Sequence, residues 1–412
     1  MKLRLALLMS AVAVALSLGW LGSFGPQRAI AAPAAAAPNP CAFPTSVVGS
    51  PAQTAWMIFV AANCPANQRT LTWETWIEQA DLYPANGKVG GRSIHPKRLH
   101  GSPLAQVALA KLGGHGAGAA PSTESCNPMA APPTNSSVKM VKTTICEEAR
   151  QNPTTQAFIV KKGYQVRSGQ AAAAKAGADI DFPGASIEVK VDWIPASDYS
   201  PAFTCKTPPA GVHVSMIDGE CYAMAGMHIS SKLLKDWIWA TFEPQSLQTN
   251  PNRCITFGPC NDPFGSIPNT SNGGAAGFTK QTPQLKAMMV AAHLAPEFLN
   301  YRLDGVQTTF GTAANPTLLG NSIIEGENVG MTKGTASCIS CHSVSSVEAD
   351  AAGTDGIQFL PATGPVGPQF VVPAGWIARD FVWSLAVACP NGILPGHCTG
   401  SNAAAAVKKK VP

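Results

Sequence analysis

Cys338-Ile339-Ser340-Cys341-His342 is the stretch of this 412-residue chain whose residue types and spacing most plainly do chemistry. Two thiols set three residues apart can add across the two vinyl groups of one protoporphyrin, forming two thioether bonds. The imidazole that follows is then held under the ring, where its nitrogen ligates the iron. The spacing points to one covalent c-type haem, with Cys338 and Cys341 as anchors and His342 as proximal ligand. Two other chemistries use paired cysteines. A thioredoxin-like redox pair needs a strand before it and a helix opening at the first cysteine. Here a polar, loop-forming run, Gly330-Met331-Thr332-Lys333-Gly334-Thr335-Ala336-Ser337, precedes the pair. A structural zinc site needs a second pair at metal spacing. Downstream stand only Cys389, His397 and Cys398, and the two cysteines are too far apart for a zinc knuckle.

The start of the chain agrees with that chemistry. Met1-Lys2-Leu3-Arg4 carries positive charge, Leu5 to Leu18 is apolar, and Ala29-Ile30-Ala31 is a small-x-small cleavage site. That is the pattern of a secretory leader over residues 1–31. The apolar run is short for a membrane span and is followed by Gly25, Pro26 and Arg28. No later segment is continuously apolar enough to cross a bilayer. The expectation is a periplasmic protein with no transmembrane span in its mature chain.

Ten cysteines remain beside the motif: Cys41, Cys64, Cys126, Cys146, Cys205, Cys221, Cys254, Cys260, Cys389 and Cys398. An even number in an oxidising compartment suggests disulfides, and nearest-neighbour pairing into five local bridges is the simplest arrangement. Composition explains the need for such staples. There are 38 Gly and 35 Pro and only 13% charged residues, so much of the chain is turn and loop. At 45% hydrophobic the chain still builds a core. Removing Lys2, Arg4 and Arg28 with the leader lowers the formal charge from +5 to +2. Two haem propionates bring it close to neutral, which gives no case for nucleic acid and little for broad electrostatic steering.

The elements that must position the motif are read from periodicity. Trp56, Phe59, Val60 and Cys64 predict one helix, and Trp73, Trp76, Ile77 and Ala80 a second. Residues 84–153 read mostly as loop. Ile187, Val189, Val191 and Trp193 alternate with Glu188, Lys190 and Asp192, the period of a strand with one face buried. Val212 to Ile217, Tyr222 to Ile229 and Trp237 to Phe242 predict further strands of an antiparallel sheet or small sandwich. Gln284 to Arg302 reads as a helix, and Trp376, Ile377, Phe381 and Leu385 as a terminal helix packed on the motif. The expected class is α+β. After the leader, helix and loop fill 32–154, a β-rich region with a following helix fills 155–310, and a mostly α and loop haem segment fills 311–412. There is one haem motif and no internal repeat.

On Cys338, Cys341 and His342, residues 334–412 resemble a c-type cytochrome domain. The longer chain is similar to exported bacterial monohaem c-type cytochromes of poorly defined role. That likeness is carried by Phe182-Pro183-Gly184-Ala185-Ser186-Ile187-Glu188-Val189-Lys190, Trp237-Ile238-Trp239-Ala240-Thr241-Phe242-Glu243 and Asn300-Tyr301-Arg302-Leu303. The resemblance implies a shared architecture more than a known reaction and carries over only Cys338, Cys341 and His342; the haem motif itself leads to the expectation of single-electron transfer with a redox protein partner, with the oligomeric state open. One departure stands out. Small electron carriers usually supply a downstream methionine as sixth ligand, and none follows His342. The iron is then capped by His397, the leading candidate, or from upstream by Met331, Met224, Met227, His228, Met288, Met289 or His293. An open distal face is the third fate, suited to a haem enzyme or a haem-based sensor. Arg302 and Arg379 are candidates to pair with propionates, and His95-Pro96-Lys97-Arg98-Leu99-His100 is a basic stretch for docking a partner. No nucleophile elbow, phosphate loop or paired-carboxylate motif is recognisable.

Overall fold

Three helices open on the same two-residue phrase, a short polar residue followed by proline: Ser50-Pro51, Asn152-Pro153 and Thr282-Pro283. The polar side chain accepts from an amide that no helical carbonyl can reach, and proline lacks the donor that would be orphaned there. In the computed structural model these phrases start α1 (Pro51–Asn63), α2 (Pro153–Lys162) and, after α3 (Arg167–Lys175), α4 (Pro283–Ala291). Ser50 Oγ accepts from Gln53 N at 3.1 Å, Asn152 Oδ1 from Thr155 N at 3.0 Å and Thr282 Oγ1 from Leu285 N at 3.3 Å. The structure describes residues 39–68, 70–89, 126–128, 139–140, 144–244, 262–268, 278–312, 317–321, 323–325, 336–350 and 372–389. The leader, the 95–100 basic stretch, Cys254, Cys260, Met331, His397 and Cys398 lie outside the described residues.

The strands form an eight-stranded antiparallel sheet. Its order is β1 (Ile77–Glu78), β3 (Thr144–Gln151), β4 (Ile187–Pro195), β6 (Glu220–Ser231), β7 (Ile238–Pro244) and β8 (Tyr301–Gln307). Two short strands add to it, β2 (Asn127–Pro128) on β3 and β5 (Val214–Ile217) on β6. Helices and antiparallel sheet together make the fold α+β. The described residues fall within one compact unit, and hydrogen bonding runs across residue 155 because β3 pairs with β4. Among the described residues no helix is long and apolar enough to cross a membrane. Cys41–Cys64, Cys126–Cys146 and Cys205–Cys221 are bridged, all nearest-neighbour pairs, and Cys389 is disulfide-bonded as well.

Side chains alternate between the two faces of a strand. One face carries Val189, Val191, Trp193, Met227, Phe242 and Leu303 against Trp56, Phe59 and Val60 of α1 and Leu285 of α4, all buried. Each such side chain removed from water contributes about 1.5–3 kcal/mol. The opposite face carries Glu147, Glu188, Lys190, Asp192, His228, Trp239 and Thr241. The register sets Glu147 opposite Asp192, and Lys190 opposite His228, which in turn faces Thr241. The alternation in β4 is as expected, but the polar face is covered too: Asp192 is 0% and Glu147 4% exposed.

Four expectations are corrected. The stretch read as a second helix is a 3-10 turn, Trp73–Thr75, followed by β1, because Ile77 and Glu78 pair with Gln151 and Arg150, and only Gln79–Leu82, which holds Ala80, is α-helical. The long helix from Gln284 ends early, where His293 turns to φ 53° and Pro296 follows, and Tyr301–Gln307 becomes a strand instead. Within the stretch read as loop, Thr144–Gln151 is the strand β3. The terminal segment is not a helix. Trp376–Ala378 (β10) pairs with Ser346–Glu348 (β9), Asp380 and Phe381 adopt φ of 50° and 68°, and Trp383–Val387 is a 3-10 turn.

Candidate functional site

The motif folds as a short helix, α5 (Cys338–Ser343), whose first closing bond is Cys341 N to Ser337 O at 2.9 Å. At 3.6 residues per turn, positions three and four apart share a face, so Cys338, Cys341 and His342 line one side. The helix is pinned from the sheet. Gln307, at the end of β8, accepts from Ile339 N at 3.0 Å and donates to Ser337 Oγ at 3.3 Å, and Ser337 Oγ donates to Ser340 Oγ at 2.9 Å. Leu319 pairs with Ser337 in a parallel bridge. From the other side Trp383 Nε1 donates to Cys341 O at 3.1 Å. Ile339 is fully buried among Leu319, Trp239, Val347, Ile377, Val382 and Leu385. The terminal segment thus packs beside the motif without being the helix its spacing suggested.

His342 is held through one nitrogen. Its Nδ1 lies 2.7 Å from the carbonyl oxygen of Phe381. A carbonyl only accepts, so Nδ1 carries the proton and Nε2 is left with a free lone pair. The ring rests against Trp239, centroids 4.4 Å apart and tilted by 47°. Burial pushes the imidazole pKa down to about 4, so it is neutral at pH 7, the form a metal takes. The carbonyl that fixes it comes from a strained turn. Positive φ at Asp380 and Phe381 costs about 1–2 kcal/mol per residue. Asp380 anchors that turn, accepting from Phe182 N at 2.8 Å, Lys232 Nζ at 2.6 Å and Trp237 Nε1 at 3.2 Å.

The two motif thiols are free and are not bridged to each other. Cys338 is buried with Sγ 3.7 Å from Leu319 O, and burial pushes its pKa well up. Cys341 is half-buried, and its pKa is pushed up to about 12, by burial first and by Glu325 second. Neither sulfur is bridged, so both are available as thiols.

Facing the motif across the polar side of the sheet is a set of ionisable groups. Lys190 Nζ lies 3.0 Å from Glu147 Oε2, and His228 Nε2 lies 3.3 Å from Glu325 Oε2. Glu325 also accepts from Asn321 N at 2.6 Å, and Asn321 Nδ2 donates to Thr241 Oγ1 at 2.7 Å. Burial works against ionising Glu325, but His228 and Lys190 together outweigh it and hold the carboxyl below its usual range. Burial likewise opposes the charge on Lys190, and Glu147, Asp192 and Glu325 hold it above the usual lysine value. Lys190 and His228 in turn disfavour the charged form of His342.

The structure thus brings Cys338, Cys341 and His342 together. Among the other ligand candidates, Met224, Met227 and Met289 are buried on the α1 side of the sheet, Met288 packs there, and His293 is exposed beyond α4. Arg379 Nε donates to Gln170 Oε1 at 3.0 Å, and Arg302 Nη1 to the carbonyls of Leu299 and Tyr301. Sequence reasoning missed Trp239, Gln307 and the Phe381 carbonyl as supports of His342 and its helix. A backbone carbonyl leaves no signal in residue type, and the strand tryptophan reads as ordinary core. Among the described residues no group of three or more His, Cys, Asp or Glu forms a metal site. Comparison with known proteins finds no matching family model, curated protein or solved structure.

Proposed function

We propose that this chain is an exported monohaem c-type cytochrome that passes single electrons to or from a redox protein partner, with residues 311–412 as its haem segment. The observation that carries the proposal is the state of the motif. Two unbridged, neutral thiols share one helical face with an imidazole whose Nδ1 is engaged by Phe381 O and whose Nε2 is free. Those residues fit one covalent haem: Cys338 and Cys341 hold it by thioethers, and His342 offers Nε2 to the iron. When bound, the group supplies an iron that changes charge by one electron. The chain's residues do the rest. Phe381 O fixes the tautomer and orientation of His342, as an outer partner does for a ligating histidine. Trp239 fixes the ring plane. Cys341 and His342 are only half-buried, which leaves a path for electrons to a docked partner. The leader over residues 1–31 and the disulfides suit the oxidising periplasm, where such haems are attached.

A second reading, a haem enzyme or haem-based sensor with an open distal face, draws on the ionisable set beside the motif. Burying charges costs several kcal/mol per ion even after relaxation, so the buried Glu147 and Asp192 and the half-buried Lys190 and Glu325 beside His228 favour a functional role for this face over a stabilising one. An anaerobic redox titration of the exported, purified protein, with and without carbon monoxide, decides between the two. Reversible one-electron behaviour indifferent to carbon monoxide, with fast exchange with a small cytochrome, is expected. Turnover of peroxide or an organic donor, with a spectrum that shifts under carbon monoxide, would contradict electron transfer as the role.

A further inference from the structure

We infer that His228 is the second axial ligand of the iron, opposite His342. This rests on the haem reading above and deepens it. The sheet separates the candidates. Met224, Met227 and Met289 are buried on the α1 side, Met288 packs against that same core, and His293 is exposed beyond α4. Of the described candidates His228 alone belongs to the polar face, the one that meets the motif.

The register brings it close. His228 on β6 lies opposite Thr241 on β7, and Trp239 is the next residue of that face along β7. Diagonal neighbours of this kind sit roughly 7–8 Å apart, and Trp239 is the residue whose ring rests against His342 at 4.4 Å. The side chain itself has an unmet need. His228 Nε2 is buried and makes no hydrogen bond; its contact with Glu325 Oε2, at 3.3 Å, has the length of an ion pair without hydrogen-bond geometry. Coordination satisfies that nitrogen, and the Glu325 carboxylate supplies negative charge beside an iron held by two neutral imidazoles. Glu325 is itself fixed by Asn321 N at 2.6 Å, so that charge is positioned before any haem arrives.

The test uses haem-loaded, full-length wild type, His228→Ala and His397→Ala, compared by visible and electron paramagnetic resonance spectra with and without carbon monoxide. The expected wild type is six-coordinate, low-spin and indifferent to carbon monoxide. His228→Ala should become high-spin, bind carbon monoxide and regain the low-spin spectrum when imidazole is added, which a merely structural residue would not do. His397→Ala should match wild type. Should the alanine variant fail to fold, His228→Met is the second probe, keeping six-coordination with the altered bands of a thioether ligand. An unchanged low-spin spectrum in either His228 variant, or a switch to high spin in His397→Ala instead, overturns the assignment while the covalent haem stands. A high-spin wild type that binds carbon monoxide also overturns it. Absence of covalent haem from the wild type overturns the functional proposal, and this inference with it.

Discussion

At the scale of single residues, the polar face of the sheet is where charge and burial compete most directly. Glu188 on β4 is half-buried and accepts from Gln151 Nε2 at 3.1 Å. Burial pushes its carboxyl pKa up by more than Gln151, Ser384 and Lys190 pull it down. A carboxyl whose folded pKa is raised holds its proton in the folded state after the unfolded chain has released it. Folding stability at that site therefore falls as pH rises above the usual glutamate value of about 4.3. Glu188→Gln keeps the shape and removes the titration. In urea unfolding the variant should gain on wild type as pH rises from 4 to 7, and the gain should vanish towards pH 4; a difference that shrinks with rising pH would refute this sign. His342 shows the same competition in a site residue. Burial keeps it neutral and Phe381 O keeps it oriented; the imidazole itself was legible in the sequence and neither of these facts was.

At the scale of elements, what was legible is what local chemistry dictates. The helical patterns that begin near Pro51 and Pro283 and the alternation from Ile187 to Trp193 were legible, whereas the helix Pro153–Lys162, which opens on the same kind of capping residue, was not. The failures have equally specific causes. Thr144–Gln151 hides its strand because an inward position carries Glu148, which is satisfied by Trp193 Nε1 at 3.0 Å and Arg150 Nε at 2.6 Å. Apolar alternation cannot reveal a charge that is paired inside. The terminal segment has helical spacing, but positive φ at Asp380 and Phe381 breaks the helix and aims the Phe381 carbonyl at His342. The Cys205–Cys221 bridge ties the connection after β4 to β6 over a sequence separation of 16. Loop-closure entropy for that length is about 3 kcal/mol. The double variant Cys205→Ser, Cys221→Ser should lose about that much in urea unfolding while retaining covalent haem; a loss of haem would mean the bridge shapes the site as well as the fold.

At the scale of the molecule, residues far apart in sequence converge on one face of one sheet. The motif announced its own three residues because their spacing is the one that the two vinyl groups of the proposed haem would require. Lys190 and Glu325 gave no comparable sign, since a polar position reads as solvated until something is seen to cover it, and His228 stood only among several upstream ligand candidates. That convergence has an electrical consequence for the proposed haem. Lys190 is a cation on the face that would surround the proposed iron, and Lys190→Met removes that charge. The midpoint potential of the variant should fall, because the oxidised, more positive iron is then favoured; an unchanged or raised potential would place Lys190 outside the iron's field. All of this depends on one covalent haem. The most direct measurement is the intact mass and visible spectrum of the exported protein beside Cys338→Ala, Cys341→Ala. One haem's added mass and a c-type spectrum in the wild type, both absent from the variant, is the predicted result. A wild type with the mass of the bare polypeptide and no such spectrum, after production in a host that attaches c-type haem, would contradict the account.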